Sequence, residues 1–176
     1  LDSDEAVELE GSTDATAHFW SPDSRFIAFF ANGKLKKIPA AGGPAIEICD
    51  APFAFVGTWS RDGTILFTRL DPPPGIFRVP DTGGEPVRVT TSALKSAKEY
   101  RFWPQFLPDG RRFLSLTNPL PGFGRRELRV ASLDSKDMRT IAYLNSRVEY
   151  APPGYLIYVR DGALCAHPFD SRKARL

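Results

Sequence analysis

The sequence predicts an all-β fold built of repeated four-stranded antiparallel units. Three observations carry that prediction. A motif of aromatic residue, tight turn and apolar strand recurs four times at nearly even intervals. Pro and Gly are abundant, at 16 and 14 residues, without a low-complexity run, which suits many short strands joined by tight turns. No segment shows the apolar period of a three-turn helix, and residues 91–99 could hold one helical turn at most.

The four copies read FWSPDSRFIAFF (19–30), TWSRDGTILFT (58–68), QFLPDGRRFLSL (105–116) and, more weakly, YAPPGYLIYV (150–159). Their aromatic anchors Trp20, Trp59, Phe106 and Tyr150 are 39, 47 and 44 residues apart. A four-stranded propeller blade takes roughly 40–45 residues. Asp then Gly after Pro suits a tight turn: Pro presets one φ, Asp caps the turn and Gly takes positive φ. The fourth copy departs from this, with Pro152-Pro153-Gly154 and no Asp. The downstream halves repeat as well. KLKKIPAAGGPAIEI (34–48) parallels IFRVPDTGGEPVRVT (76–90), and ELRVASLDSKDMRTI (127–141) has the same layout with a different turn. ALCAHPFDS (163–171) begins the same unit. Each unit is therefore strand, Asp-Gly turn, strand, loop, strand, Gly-Gly turn, strand.

The first residues parallel the end of a unit: Leu1-Asp2-Ser3 before Ala6-Val7-Glu8-Leu9 matches Leu133-Asp134-Ser135 before Arg139-Thr140-Ile141. On this reading 1–12 is the last strand of a blade, 14–50, 53–91 and 101–144 are full blades, and 147–176 holds three strands of a further blade. That is sixteen strands, or about four blade equivalents. Two architectures fit. The chain is an arc of a larger propeller, or its first strand completes the last blade and closes a four-bladed ring. The arc is favoured, because small rings demand strong blade tilt. An arc exposes two apolar flanks, which predicts a homodimer through exposed blade edges, two arcs making one eight-bladed ring.

Composition narrows the function classes. The formal net charge is +2 with 25% charged residues, too little positive surplus to imply nucleic acid or a membrane surface. The longest clean apolar stretch, 26–31, is too short for a transmembrane helix or a signal-peptide core within the chain. The sequence does not begin with Met, which predicts a processed chain or an excised piece. Two cysteines exclude a disulfide scaffold and a four-thiolate zinc site. Cys49 and Cys165 are expected to be buried small apolar residues.

No catalytic constellation is present. There is no Gly-x-Ser-x-Gly elbow, no phosphate-binding Gly-x-x-x-x-Gly-Lys-Ser/Thr loop, no kinase signature and no His/Asp/Glu cluster at zinc spacing. Neither a metal nor a cofactor is expected. Asp23, Asp62 and Asp109 are read as turn caps, because equivalent positions in successive blades are too far apart to share a proton. Trp20, Trp59 and Phe106 are expected to pack between blades, and Trp103 is the more ambiguous aromatic. The long loops 69–75, 91–102 and 118–126 fall on one face of a propeller, where binding tends to sit. They carry Arg69, Lys95, Lys98, Arg101, Arg125 and Arg126 against Asp71 and Glu99, a positive rim suited to a small anionic ligand or an acidic protein surface.

The WSPDS and WSRDG turns, each followed by an apolar strand and then a Gly-Gly-x-Pro turn, resemble TolB-type β-propeller repeats over nearly the whole chain. FWSPDSRFIAFFANGKLKKIPAAGG, WPQFLPDGRRFLSL and APPGYLIYVRDGALCAHPFDSRK are most similar to the propeller that follows eukaryotic-like serine/threonine protein kinases in soil bacteria. That resemblance implies an extracytoplasmic, non-catalytic sensing or protein-binding module, with a kinase domain and membrane anchor upstream. Two further readings stay open: a TolB-like scaffold of the cell envelope, and the substrate-gating propeller of a prolyl-oligopeptidase-like hydrolase.

Overall fold

Four antiparallel sheets follow one another along the chain and stand side by side as propeller blades. The structure, a computed structural model, describes residues 6, 8–90, 99–119 and 126–176. The first blade holds β1 (Thr16–Trp20), β2 (Phe26–Ala31), β3 (Lys34–Pro39) and β4 (Ile46–Asp50); the second holds β5 (Ala54–Trp59), β6 (Thr64–Arg69), β7 (Gly75–Pro80) and β8 (Val87–Arg88). The third holds β9 (Glu99–Phe106), β10 (Arg112–Pro119), β11 (Arg126–Ser132) and β12 (Met138–Leu144). The last has three strands, β13 (Val148–Ala151), β14 (Tyr155–Arg160) and β15 (Ala163–Pro168). Among the described residues no helix is long and apolar enough to cross a membrane.

The recurrent turns close by the same bonds. Ser21 donates its hydroxyl to Asp23 at 2.6 Å, and Asp23 accepts the Arg25 N–H at 3.1 Å. In the second blade Ser60 donates to Asp62, which accepts the Thr64 N–H at 3.2 Å. In the third, Asp109 accepts the N–H groups of Arg111 and Arg112 at 2.9 and 2.8 Å. All three aspartates are thus turn caps. The outer turns need positive φ at two successive residues, met by Gly42-Gly43 and Gly83-Gly84 without steric cost.

Strand alternation assigns each face to one junction. Trp20 pairs with Ile27, Trp59 with Ile65, Phe106 with Phe113 and Tyr150 with Leu156. Side chains of directly opposed residues share a face, so each anchor looks upstream, towards the preceding blade. The intervening residues of the second strand look downstream. Trp59, Ile65 and Phe67 accordingly bury against Ala28 and Phe30 of the first blade. Leu66 and Ile76 bury against Phe113 and Ala131 of the third. Leu114, Leu116 and Leu128 bury against Val148, Leu156 and Tyr158 of the last. Aromatic rings fill the first junction, with Phe30–Phe67 centroids 6.0 Å and Phe26–Trp59 6.4 Å apart.

One expectation is corrected. Trp20 does not pack between blades: it is 52% exposed, against 8% for its equivalent Trp59, because no blade among the described residues lies upstream of it. The strand expected within 1–12 falls partly outside the described residues, and its described part is a turn, with the Ser12 N–H bonded to the Leu9 carbonyl at 3.1 Å. Leu9 packs on Phe29, Ala31 and Ile38, on the upstream side of the first blade. At the other end, Phe169 and Ala174 return to the core beneath the last blade. Both cysteines are free, and burial pushes the Cys49 thiol up to about 12.

Candidate functional site

The innermost strand of every blade lines one cleft of about 160 Å³ at the propeller axis. β1 supplies Phe19 and Trp20, β5 supplies 56–59, and β9 supplies Trp103, Pro104 and Gln105. Arg147, Val148 and Glu149 come from the last blade. The chain has three tryptophans, and all three are among the residues that line this cleft.

Local backbone irregularities shape it. The pairing of each of the first three innermost strands slips by one residue, between Thr16 and Phe19, between Ala54 and Val56, and opposite Leu114 and Leu116. Such bulges bend a strand and re-aim a side chain. In the third blade the slip contains Trp103, which holds φ at 51°, a conformation costing roughly 1–2 kcal/mol for a non-glycine residue. The Arg126 guanidinium lies 5.2 Å from the Trp103 ring centroid, close enough for a cation–π contact. Arg147 and Glu149 pair across the cleft wall at 2.9 Å. Packing is tight where β1 meets β5: a Cβ on Gly57 would stand 2.5 Å from Phe19 Cε1.

Side chains bridge the innermost strands in a repeated way. The Phe106 N–H donates to Thr58 Oγ1 at 3.4 Å. One blade further on, the Tyr150 N–H donates to Gln105 Oε1 at 2.6 Å, while Gln105 Nε2 donates to the Tyr150 carbonyl at 3.4 Å. In each case the residue before an aromatic anchor accepts from the backbone of the next anchor.

On the turn face, two further hollows of about 480 and 290 Å³ flank the cleft mouth and share Pro22, Trp59, Ser60 and Arg61. Lys37 stands 5.3 Å from the Phe26 ring and 5.8 Å from the Trp59 ring. Its ammonium donates to the Asp81 carbonyl at 2.7 Å, tying the first two blades together. Arg111 bonds Asp134 and lies 3.7 Å from Asp62, which ties the second to the third.

The six cations singled out in the sequence are placed as follows. Arg69 ends β6, donates Nε–H to Asp71 at 2.8 Å and stacks over Phe77 at 4.7 Å. Its hydrogen bond to Asp71 raises the Arg69 pKa and holds the Asp71 carboxyl below the usual range. Arg126 opens β11 and reaches Trp103. Arg101 lies in β9, opposite Thr117. Lys95, Lys98 and Arg125 lie outside the described residues. Sequence reasoning missed the axial cleft. Its signals were the Trp-Pro step at 103–104 and the polar residue before each later anchor.

The comparisons agree with the fold. No family model matches the chain. An uncharacterized protein of Agrobacterium fabrum is 32% identical over 102 residues, covering 53% of this chain and 32% of the relative. A solved structure assigned as TolB from Agrobacterium tumefaciens superposes with a TM-score of 0.62 at 23% identity, covering 86% of this chain and 56% of that one. A gluconolactonase from Xanthomonas campestris gives 0.67 at 11% identity, with 88% and 57% covered. A prolyl endopeptidase structure gives 0.57 at 15%, with 82% and 24% covered. The protein is thus a β-propeller, a fold it shares with the TolB, gluconolactonase and prolyl endopeptidase structures. The chain spans about a third of the curated relative and just over half of the first two structures.

Proposed function

We propose that this chain is a non-catalytic binding module that takes its ligand at the axial cleft. The observation that carries the reading is the convergence of all three tryptophans on one small cleft beside Arg147 and Arg126. Flat aromatic faces next to guanidinium groups suit a ligand with an anionic group on a flat or apolar body. The ligand is a small anion or an acidic group of a partner protein. The resemblance to kinase-linked propellers supports placing the module outside the cytoplasm, in a membrane-anchored serine/threonine kinase that it informs of ligand. An envelope scaffold and a hydrolase-gating propeller share this scaffold. They differ in what flanks it: a small domain behind a signal peptide in the first, a Gly-x-Ser-x-Gly domain in the second.

The test is a panel of inorganic phosphate, citrate, sugar acids and an acidic peptide, read by tryptophan fluorescence. At least one member is expected to shift the emission saturably, and Arg126→Ala with Arg147→Ala to weaken that response at least tenfold. A response untouched by both substitutions, or turnover of any probe by the purified chain, overturns the reading.

A further inference from the structure

We propose that the larger hollow on the turn face, between the first and second blades, is a second binding site, and that its ligand is a neutral saccharide. Its walls come from two consecutive four-stranded blades, so it owes nothing to the ends of the blade row. It does not rest on the axial-cleft reading.

Two successive junctions differ at this place. At the junction of the second and third blades, Arg111 bonds Asp134 of its own blade and lies 3.7 Å from Asp62 of the blade before. A guanidinium therefore spans the space between the turns. In each turn the residue that donates its N–H to the aspartate two positions back marks the same place: Arg111 in the third blade and Thr64 in the second. Thr64 is short and uncharged, so it cannot do for Asp23 what Arg111 does for Asp62. The bonds that close the first turn both go to Asp23 Oδ1, which leaves Oδ2 to the space in front of it. That space is a hollow of about 480 Å³, within the range of small-ligand sites, about 300–1,000 Å³.

The hollow presents unlike groups that do not neutralise one another. Asp81 rests beside the second turn, where a Cβ on Gly63 would stand 3.1 Å from its Oδ1. Among the described residues the Asp81 carboxylate has no hydrogen-bond or ion-pair partner, and neither has the Arg61 guanidinium. Phe26 and Trp59 form the apolar wall, with ring centroids 6.4 Å apart. The Lys37 ammonium stands 5.3 and 5.8 Å from those rings and donates to the Asp81 carbonyl.

The carboxylates of Asp23 and Asp81 balance the cations of Arg61 and Lys37, so the hollow exerts no net pull on an anion or a cation. What these groups offer is hydrogen bonding in both senses. Ionised carboxylates only accept, while guanidinium and ammonium groups only donate. A matching ligand carries donors and acceptors close together, bears no net charge, and has an apolar face for the rings. A pyranose meets all three conditions: each hydroxyl both donates and accepts, adjacent hydroxyls can engage one carboxylate together, and the C–H face of the ring lies against an aromatic wall.

The experiment is heteronuclear NMR of the chain titrated with glucose, galactose, N-acetylglucosamine and maltose, with phosphate and glycine as charged comparators. Trp59 lines both this hollow and the axial cleft, so the reporters are backbone amides that separate the two. At least one sugar is expected to shift the amides of Arg61, Gly63 and Asp81 saturably, and to leave Gln105 and Val148 of the axial cleft unmoved. Asp81→Asn and Arg61→Ala remove side chains that hold no partner in the fold, and the amide spectrum checks that the fold is kept. Each is expected to weaken sugar binding about tenfold, the worth of a hydrogen bond to a charged group. The proposal is overturned if no sugar moves the three amides, or if the shifts appear at the axial cleft instead. Phosphate or glycine acting there in place of a sugar overturns it too, as does an affinity unchanged by either substitution.

Discussion

At the scale of single residues, stability rests on close approaches and on carboxylates held by turn donors. Gly57 is the sharpest case, since a side chain there meets the Phe19 ring at 2.5 Å. Gly57→Val is expected to cost about 1–3 kcal/mol, as overpacking does, read from the urea midpoint; an unchanged midpoint contradicts the β1–β5 packing. The turn aspartates set the pH dependence. The Ser21 and Ser60 hydroxyls hold the Asp23 and Asp62 carboxyls below the usual range. At Asp109 burial pushes up, and the N–H groups of Arg112 and Arg111 outweigh it. A folded-state pKa below the unfolded value stabilises above the unfolded pKa, and that contribution is lost as pH falls through the folded one. Unfolding free energy should therefore hold steady down to about pH 5 and fall below about pH 4. Asp62→Asn should flatten that fall. A chain that gains stability on acidification contradicts the assignment.

At the scale of elements, much of the blade pattern was legible in the residues, and the reasons are local. Ser-Pro-Asp and Pro-Asp-Gly steps specify a turn by their own dihedral preferences, and Gly-Gly pairs do the same at the outer hairpin. Asn32-Gly33 and Asp161-Gly162, both with two positive φ values, close the β2–β3 and β14–β15 hairpins tightly, as such dipeptides do. The bulges of the innermost strands were not legible. Nothing in ATAHFW or FWPQF marks the residue that drops out of register, because a bulge answers to twist and to the neighbouring blade. The bridging role of Gln105 was hidden for the same reason: its partner Tyr150 is 45 residues away. Gln105→Ala removes two hydrogen bonds at once and leaves the Tyr150 backbone unpaired there. That is expected to cost about 1–3 kcal/mol and to speed amide exchange at Tyr150 ahead of Leu66. Equal exchange at Tyr150 in the two proteins contradicts the bridge.

At the scale of the whole molecule, each blade packs its faces on those of its neighbours, and the proposed binding cleft lies where the four innermost strands come together. The rim of cations was readable as charge on long loops, yet Arg69 is tied to Asp71 and Phe77, while Arg126 is turned onto Trp103. The axial cleft could not be read from one repeat, because Trp20, Trp59 and Trp103 occupy two different positions of the repeat unit and converge only after the blades are arranged around an axis. That convergence is the central claim, and single-tryptophan proteins test it most directly. Three chains, each keeping one of Trp20, Trp59 and Trp103 with Phe at the other two positions, are titrated with the same anion from the panel. The account predicts one saturable binding curve with the same midpoint from all three reporters. A response confined to one tryptophan, or three unrelated midpoints, would contradict it.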